Sequence, residues 1–388
     1  MSAEILIVGA GMAGCAIAAH VSRFASVQVL ESSDRIAQEA AAQNAGLVRR
    51  LDPEPCDRAL AQRTFDYLCE RNTDLSQRTG AVLGLVRDPS GLHDACAHLK
   101  ARGITVERVD PSQFPLLEGA PLSQAWHLPE ERVTNGPQLA HSLIQEAQRQ
   151  GAQLHTDRPA HSLIIEQDRC LGVQTSEGPL HADITIIACG AWSGFLAAGA
   201  DLHRPLIPLR RMAALSSPIH GIGLDHPWCW LDDVGLYIKP EADGLLVSPC
   251  DERPDVPTPG CSSTGLPDDL QWQLLHDKIQ AFLPIVRDRS MVRSWTGLRT
   301  FCPDRKPMLG ADGECRGLYW AAGLGGSGLS SCVGVGEALS AWIQGQDTPW
   351  LDPAGVAPHR HHLSRWPIYP EGDPSRARLI RGDAVLAL

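Results

Sequence analysis

The stretch EILIVGAGMAG, residues 4–14, decides the fold of this chain. Its leading residues are mostly aliphatic and strand-like, and they run into three glycines with the spacing G-x-G-x-x-G. An alanine-rich, helix-like run continues to Arg23, and a second apolar run at 27–30 ends on Glu31. This order of strand, glycine turn, helix, strand and acid is that of a βαβ unit that binds a dinucleotide.

The residue types in this unit have separate physical roles. The first glycine permits a tight turn, the second lets the backbone approach a pyrophosphate, and the third lets helix and strand pack closely. The helix start offers unpaired N–H groups and a positive dipole end to the same pyrophosphate. The acid accepts hydrogen bonds from ribose hydroxyls. The residues predicted to hold the cofactor here are Gly9, Gly11, Met12, Ala13, Gly14, Glu31 and Ser32.

The rest of the chain decides between FAD and NAD, since the same unit binds either cofactor. Residues 56–72 and 137–150 are predicted to be helices, 161–175 a β-hairpin and 184–188 a buried strand. A nucleotide-binding unit that is interrupted by a long insertion and resumed with a small β-meander is typical of flavoproteins. The pattern therefore favours FAD.

Composition excludes several classes of function. The formal net charge of −11 argues against non-specific binding of nucleic acid, which needs a basic surface. No apolar run reaches the roughly eighteen residues of a membrane helix, and no basic, apolar leader precedes the first strand. We therefore expect a cytoplasmic protein without a transmembrane segment, and leave peripheral contact with the inner membrane open.

No metal site is predicted from the cysteines or the histidines. The twelve cysteines are scattered without a C-x-x-C pair, which predicts reduced thiols rather than a zinc or iron–sulfur site. His359, His361 and His362 form a small cluster near the end of the chain, but no carboxylate or cysteine lies at a useful spacing from them.

Several ordered segments resemble the D-amino-acid oxidase (DAO) superfamily of flavoproteins, over residues 3 to about 353. Besides the first βαβ unit, these segments are AAQNAGLV at 41–48, ADITIIACGAWS at 182–193, GLRTFCPDRKPMLG at 297–310 and GLYWAAGLGGSGLSSCVGVGEALSAWI at 317–343. Within the superfamily, bacterial D-amino-acid dehydrogenases such as D-arginine dehydrogenase are resembled by LIPLRRMAAL at 206–215, LYIKPEADGLLVSP at 236–249 and SWTGLRTF at 294–301.

The resemblance implies a combination of α/β and α+β architecture that is discontinuous in sequence. A Rossmann-like FAD-binding domain with a β-meander would accompany a substrate domain, built on an antiparallel sheet with helices on one side. The FAD-binding domain would comprise 1–78, 136–198 and 296–345, the substrate domain 79–135 and 199–295, and the C-terminal tail 346–388. Separately, the prolines within 253–267 predict a surface loop.

Further cofactor contacts follow from the resemblance. The glycine-rich start of the last helix would aim its amides at the pyrimidine edge of the flavin, where negative charge accumulates on reduction. Some relatives attach FAD covalently through a cysteine a few residues before a Pro-Asp pair. Gly297 stands near that place and Cys302 is out of register, so non-covalent FAD is expected. The residues added are Asn44, Ala45, Gly46, Leu47, Gly190, Trp192, Gly325, Gly326, Ser327, Gly328 and Leu329.

Three side chains fall on positions with which the superfamily holds the carboxylate of its substrate: Arg211, Tyr237 and Arg299. The planar fork of an arginine matches the two oxygens of a carboxylate. Arg210 should point to the opposite face of the same strand and is left out.

The resemblance implies FAD-dependent oxidation of a D-amino acid, by hydride transfer from Cα to flavin N5 and hydrolysis of the imino acid to a 2-oxo acid and ammonia. The stretch 80–86 lacks the acid that D-arginine dehydrogenase uses, so an apolar, small or cyclic side chain is favoured. A glycine- or sarcosine-type secondary-amine oxidase is one alternative, and a flavin-binding electron-transfer subunit of a larger complex is another. The electron acceptor stays open between oxygen, a quinone and a partner subunit.

Overall fold

The computed structural model describes residues 3–71, 75–87, 92–242, 244–258 and 260–360, and the backbone of 379–381 and 384–386. The strands are Ala3–Val8 (β1), Val27–Leu30 (β2), Leu47–Val48 (β3), Ser76–Arg78 (β4), Ala81–Leu85 (β5), Glu107–Arg108 (β6), Gln124–Leu128 (β7), Arg132–Thr134 (β8), Gln153–His155 (β9), Ala160–Glu166 (β10), Arg169–Thr175 (β11), Gly178–Ile187 (β12), Ile207–Ser216 (β13), Trp228–Leu231 (β14), Leu236–Glu241 (β15), Gly244–Ser248 (β16), Arg253–Pro254 (β17), Met291–Phe301 (β18), Met308–Ala311 (β19), Leu318–Ala322 (β20), Leu379–Arg381 (β21) and Ala384–Leu386 (β22). The helices are Met12–Val21 (α1), Glu39–Ala42 (α2), Pro55–Glu70 (α3), Leu92–Ala101 (α4), Gly136–Arg149 (α5), Ser193–Ala198 (α6), Asp269–Phe282 (α7), Gly328–Ile343 (α8) and Pro353–Val356 (α9).

The first sheet has eight strands and carries β1 inside a parallel core. β1 pairs in parallel with β2 on one side and with β12 on the other, and β9 and β20 extend this core outward. β10, β11 and the first half of β12 form an antiparallel meander. The strands of the core are apolar because a parallel sheet is covered on both faces. The predicted βαβ unit, hairpin and β-meander are all present.

Helix α1 occupies the most enclosed position in the described structure. All ten of its residues are buried, and it packs against α5 and α8. A helix without a polar face must be covered on every side. Two glycines permit the close packing: a Cβ on Gly336 of α8 would lie 2.6 Å from the carbonyl oxygen of Ala16, and one on Gly14 would overlap the carbonyl oxygen of Gly9.

The second sheet has nine strands in the order β17-β13-β16-β15-β14-β5-β7-β6, with β18 paired to β13. Its pairings are antiparallel except that β5 and β14 run parallel. Helices cover both faces rather than one: Leu99 of α4 packs with Leu83 on one face, and Leu275 of α7 packs with Val82 on the other. Val82 and Leu83 are consecutive in β5 and belong to different cores, because successive side chains of a strand point to opposite faces of the sheet.

The segment after 346 is packed as far as residue 360. Arg360 is 6% exposed, and its guanidinium donates to both carboxylate oxygens of Asp304 at 2.8 Å. His361 and His362 lie outside the described residues, and within those residues no group of three or more metal-ligating side chains occurs. The described part of the chain also contains no helix long and apolar enough to span a membrane.

A buried ion pair joins the segment after β3 to the start of β8. Arg50 Nε donates to Glu131 Oε1 at 2.8 Å, and the side chains are 4% and 0% exposed. We expect Arg50→Met to lower the free energy of unfolding by about 3 kcal/mol, because Glu131 would lose its hydrogen-bonded partner in a buried site. Urea denaturation of the holoprotein measures this. Arg78→Met, which breaks an exposed pair with Glu130, should cost less than about 1 kcal/mol, and equal shifts in the two variants would contradict the prediction.

Candidate active site

A cavity of about 810 Å³ lies between the two sheets and is lined from both. The first sheet contributes residues at the carboxyl ends of β1, β2 and β12, and the second contributes residues of β13 and β18. A crevice at the carboxyl ends of parallel strands is where open α/β sheets bind ligands. The predicted cofactor residues that line the cavity are Gly9, Gly11, Met12, Ala13, Glu31, Ser32, Asn44, Gly190, Trp192, Gly325, Gly326, Gly328 and Leu329.

The glycine turn fits a pyrophosphate. Gly9 has φ +104°, and a Cβ there would lie 2.5 Å from the carbonyl oxygen of Ala188. Gly11 lines the cavity and has no protein atom within 4 Å of where its Cβ would be, so a ligand can approach its backbone. No side chain caps the N-terminus of α1. The turn therefore presents free N–H groups and open space together, which a dinucleotide phosphate would fill.

Five of the predicted cofactor residues do not line the cavity. Gly14 packs against Gly9. A Cβ on Gly46 would overlap the backbone carbonyl of Thr134. Ala45 and Leu47 belong to the core beneath the second sheet. Ser327 precedes α8 without capping it. Their roles toward the cofactor remain predictions.

Two residues that line the cavity beside Glu31 belong to none of the sequence motifs. They are Arg158 and His161, and both follow β9, which pairs with β2. The Nε of Arg158 is buried without a hydrogen-bond partner, while its Nη2 lies 3.0 Å from Glu177. The pairing of β9 with β2 and the hydrogen bond from Arg158 N to the Glu31 carbonyl at 2.9 Å bring this segment to the ribose end of the predicted site.

A loop of the second sheet, residues 260–265, crosses the cavity and is called the crossing loop below. Ser263 donates from N and Oγ to the carboxylate of Glu39, at 3.1 and 2.5 Å, and Arg210 donates to the Ser263 carbonyl at 2.8 Å. The proline-rich stretch 253–267 was predicted only as a surface loop. Most residues of the crossing loop are exposed, as expected of a surface loop, and residues 260–263 also line the cavity because Glu39 and Arg210 hold Ser263 there.

Two guanidinium groups meet at the start of α8. A Cβ placed on Gly326 would lie 3.7 Å from Arg211 Nη1 and 3.8 Å from Arg299 Nη1. Arg211 is held by its neighbours, since Nε donates to the Asp251 carbonyl at 3.2 Å and Nη2 to Glu252 Oε1 at 3.1 Å. Arg299 has no hydrogen-bond acceptor or ion-pair partner among the described residues, although it lines the cavity. Burial and the positive charge of Arg211 lower the pKa of Arg299.

Tyr237 lies behind the cavity wall rather than in it. Its side chain is 2% exposed and stacks on Trp230, with the ring centroids 5.0 Å apart. The guanidinium of Arg49 lies 4.4 Å from the centroid of the same tryptophan. Burial raises the pKa of Tyr237, although the charges of Arg299 and Arg211 oppose this. The contact of Tyr237 with a substrate remains a prediction.

The position at which some relatives attach FAD is blocked in this protein. Gly297 has no side chain, and a Cβ there would overlap the side-chain amide of Gln43. The side-chain amide of Gln43 donates to Thr264 Oγ1, and the Gln43 backbone carbonyl accepts a hydrogen bond from Trp295 Nε1 at 3.1 Å, so both parts of the residue are held. This geometry supports the expectation of non-covalent FAD.

A protein-family model described as DAO, FAD dependent oxidoreductase, matches residues 4–342. The chain belongs to the DAO family. The predicted superfamily and the predicted cofactor, FAD, are confirmed by this match.

Two curated relatives illustrate what DAO proteins of this type do. A 4-methylaminobutanoate oxidase (formaldehyde-forming) of Paenarthrobacter nicotinovorans is 26% identical over 90% of this chain and 44% of its own length. A glycine oxidase of Pseudomonas aeruginosa is 26% identical over 92% of this chain and 99% of its own length. The chain spans less than half the length of the first curated relatives it matches.

A solved structure, L-proline dehydrogenase from P. horikoshii, has the same fold as this DAO chain. The TM-score is 0.82 at 20% sequence identity, over 94% of this chain and 98% of the other. The predicted pairing of a Rossmann-like domain with a second sheet is thereby confirmed. The finer resemblance to D-arginine dehydrogenase is not supported by these proteins, whose names specify a methylated amine, glycine and proline.

Proposed function

We propose that this protein oxidises the amine of a small amino acid, with FAD as the hydride acceptor, and that a secondary amine is the preferred donor. The observation that carries the proposal is Arg299, a guanidinium group in the cavity wall without an acceptor among the described residues. Arg299 is half-buried, and a partly desolvated cation without a counter-charge is unfavourable; the carboxylate of an amino acid supplies that charge. Arg211 offers a second donor on the same side of Gly326.

The charge around the two arginines also suits the oxidised group. An amine must be neutral before its α-carbon gives up a hydride. A like charge nearby disfavours the protonated form, so two guanidinium groups lower the pKa of an amine bound beside them. The arginines therefore hold the carboxylate and favour the reactive form of the amine at the same time.

The acids of the cavity wall are consistent with a substrate that carries no second positive charge. Among the described residues that line the cavity, the carboxylates are Glu31 and Glu39. Glu31 accepts hydrogen bonds from the backbone N–H groups of Ala10 and Ser33, and Glu39 accepts from Ser263. Both carboxylates are therefore engaged within the protein, which supports the preference for an apolar, small or cyclic side chain over a basic one.

A secondary amine is preferred over the D-amino acid that the sequence favoured. By their names, two of the proteins above act on 4-methylaminobutanoate and on proline, and both compounds carry a secondary amine. Glycine, the substrate in the third name, is the smallest primary amine of this kind. The D-amino-acid prediction becomes the second candidate.

In this mechanism the chain positions the substrate and excludes water. A bound flavin supplies the hydride acceptor. Arg299 and Arg211 fix the carboxylate, and the enclosed wall formed with Trp295 and the crossing loop keeps bulk water from the reacting carbon. Holding the substrate in this geometry accelerates hydride transfer without a dedicated general acid or base.

The proposal is tested by anaerobic titration of the purified yellow protein with sarcosine, L-proline, D-proline, glycine, D-alanine and D-arginine. We expect sarcosine or a proline to bleach the long-wavelength flavin band fastest, and D-arginine to leave it unchanged. Precipitation with acid should release the FAD into the supernatant, as non-covalent binding requires.

The other outcomes separate the alternatives. Bleaching by D-alanine alone would favour the D-amino-acid prediction. A yellow protein that none of the compounds bleaches would refute the proposed function and favour a flavin-binding electron-transfer subunit. A coloured pellet after acid treatment would refute non-covalent FAD.

A further inference from the structure

Arg211 and Arg299 differ in how the protein holds them. Arg299 has no acceptor among the described residues, whereas two nitrogens of Arg211 are already engaged. Its Nε donates to the carbonyl of Asp251, and its Nη2 donates to Glu252. The remaining nitrogen, Nη1, has no acceptor in the described structure and is the atom that lies near Gly326. The engaged nitrogens therefore set which edge of the guanidinium faces the cavity.

Glu252 is itself held firmly. Arg305 donates to both of its oxygens, with Nη1 at 2.9 Å from Oε1 and Nη2 at 2.6 Å from Oε2. Two parallel bonds of this kind fix the plane of a carboxylate as well as its place. The Arg305 guanidinium also lies 4.4 Å from the centroid of the Phe301 ring. Glu252 thus connects the loop after β18 to the guanidinium on β13.

The two residues before Glu252 determine where its side chain lies. Cys250 has φ +50°, an uncommon conformation for a residue with a side chain. Asp251, which follows it, is 6% exposed, and its carboxylate accepts from Met212 N at 2.8 Å and from Gln271 Nε2 at 2.5 Å. The turn after β16 is therefore fixed at three consecutive residues, the last of which reaches Arg211.

We propose that Glu252 is a positioning residue, which holds Arg211 so that Nη1 faces the substrate carboxylate while Arg299 stays free to close on it. This inference rests on the proposed function. Arg211 then sets the orientation of the substrate carboxylate, and Arg299 adds electrostatic attraction to it. Glu252 touches neither substrate nor flavin in this scheme and acts through Arg211.

The test separates binding from orientation in the holoenzyme. Acetate, the carboxylate of glycine without its amine, is titrated into each protein and its Kd is read from the flavin spectrum. The anaerobic rate of flavin reduction is measured at saturating substrate. We expect Glu252→Gln to bind acetate at least as tightly as wild type, because a negative charge has gone from the site. We expect flavin reduction to be slower by about tenfold, because Arg211 is no longer aimed.

Two further variants make the test decisive. Glu252→Asp keeps the negative charge but shortens the side chain by one methylene. Its rate of flavin reduction should lie between those of wild type and Glu252→Gln, and its affinity for acetate should equal that of wild type. Glu314→Gln is the matched control, since Glu314 shares Arg204 with Asp312 away from the cavity, and it should behave as wild type. If the glutamine variant is isolated without FAD, the aspartate variant decides by the same comparison.

A role in stability alone would move both readouts together. Acetate binding weakened as much as the reduction rate, or both left at wild-type values, would overturn the inference. Failure of the proposed function would appear instead in the wild type, as a flavin that no amine reduces.

Discussion

Arg299→Met is expected to lower kcat/KM for the amine substrate about a thousandfold while FAD stays bound. The variant removes the guanidinium that has no acceptor in the protein and keeps an apolar stem of similar length. Two charge-assisted hydrogen bonds to a carboxylate contribute together about 4 kcal/mol, which corresponds to that loss. Stopped-flow measurement of flavin reduction over a range of substrate concentrations gives the value.

Two companion variants show whether the charge or the shape of Arg299 matters. Arg299→Lys keeps the charge without the planar fork and should recover only part of the loss. Arg316→Met removes an arginine that pairs with Asp168 on the surface, and its activity should equal that of wild type. An Arg299→Met enzyme within tenfold of wild type would show that another group anchors the substrate.

Gly11→Ala is expected to raise the Kd for FAD about a hundredfold without destabilising the apoprotein. Gly11 has φ −78° and ψ −166°, which alanine adopts without strain, and no protein atom lies within 4 Å of the new Cβ. The added methyl group instead occupies the space that the pyrophosphate needs, at a cost of about 2.7 kcal/mol. Titration of the apoprotein with FAD measures the Kd, and calorimetry of the same apoprotein measures its thermal midpoint.

Gly14→Ala is the matched control and should show the opposite behaviour. Its Cβ would overlap the carbonyl oxygen of Gly9, so α1 must move away from β1. We expect the thermal midpoint of the apoprotein to fall, since forced repacking of a core costs about 1–3 kcal/mol. An unchanged apoprotein midpoint in Gly14→Ala, or a lowered one in Gly11→Ala, would mean that the two glycines have been assigned the wrong roles.

The elements that the sequence predicted well are those whose cause is local. The βαβ unit follows from periodicity and three glycines within residues 4–14, and the hairpin from two short apolar runs around Asp168. The convergence of Arg211 and Arg299 was also predictable, but only through the resemblance to a family. Pairing of β13 with β18 is the physical reason for it, and strands about 80 residues apart carry no local signal of such pairing.

The features that the sequence missed depend on contacts between distant segments. The prolines of 253–267 predicted a surface loop, and the exposed residues of the crossing loop agree with that, but its place beside the cavity depends on the contacts of Ser263 with Glu39 and Arg210. Arg158 reaches the site because β9 joins β2. Glu252 follows no motif, and its relation to Arg211 and Arg305 exists only in the folded protein. Side-chain partnerships of this kind are set by tertiary packing.

The order of the strands in the first sheet has a consequence for folding during translation. β1 and α1 leave the ribosome early, but β12, the neighbour of β1, ends at Ile187, and α8, which covers α1, ends at Ile343. At about 5–20 residues per second, translation of the stretch between them takes on the order of tens of seconds. Throughout that time α1, all of whose residues are buried in the folded protein, lacks its final cover. The cavity is complete only after the start of α8, which lines it, has been made.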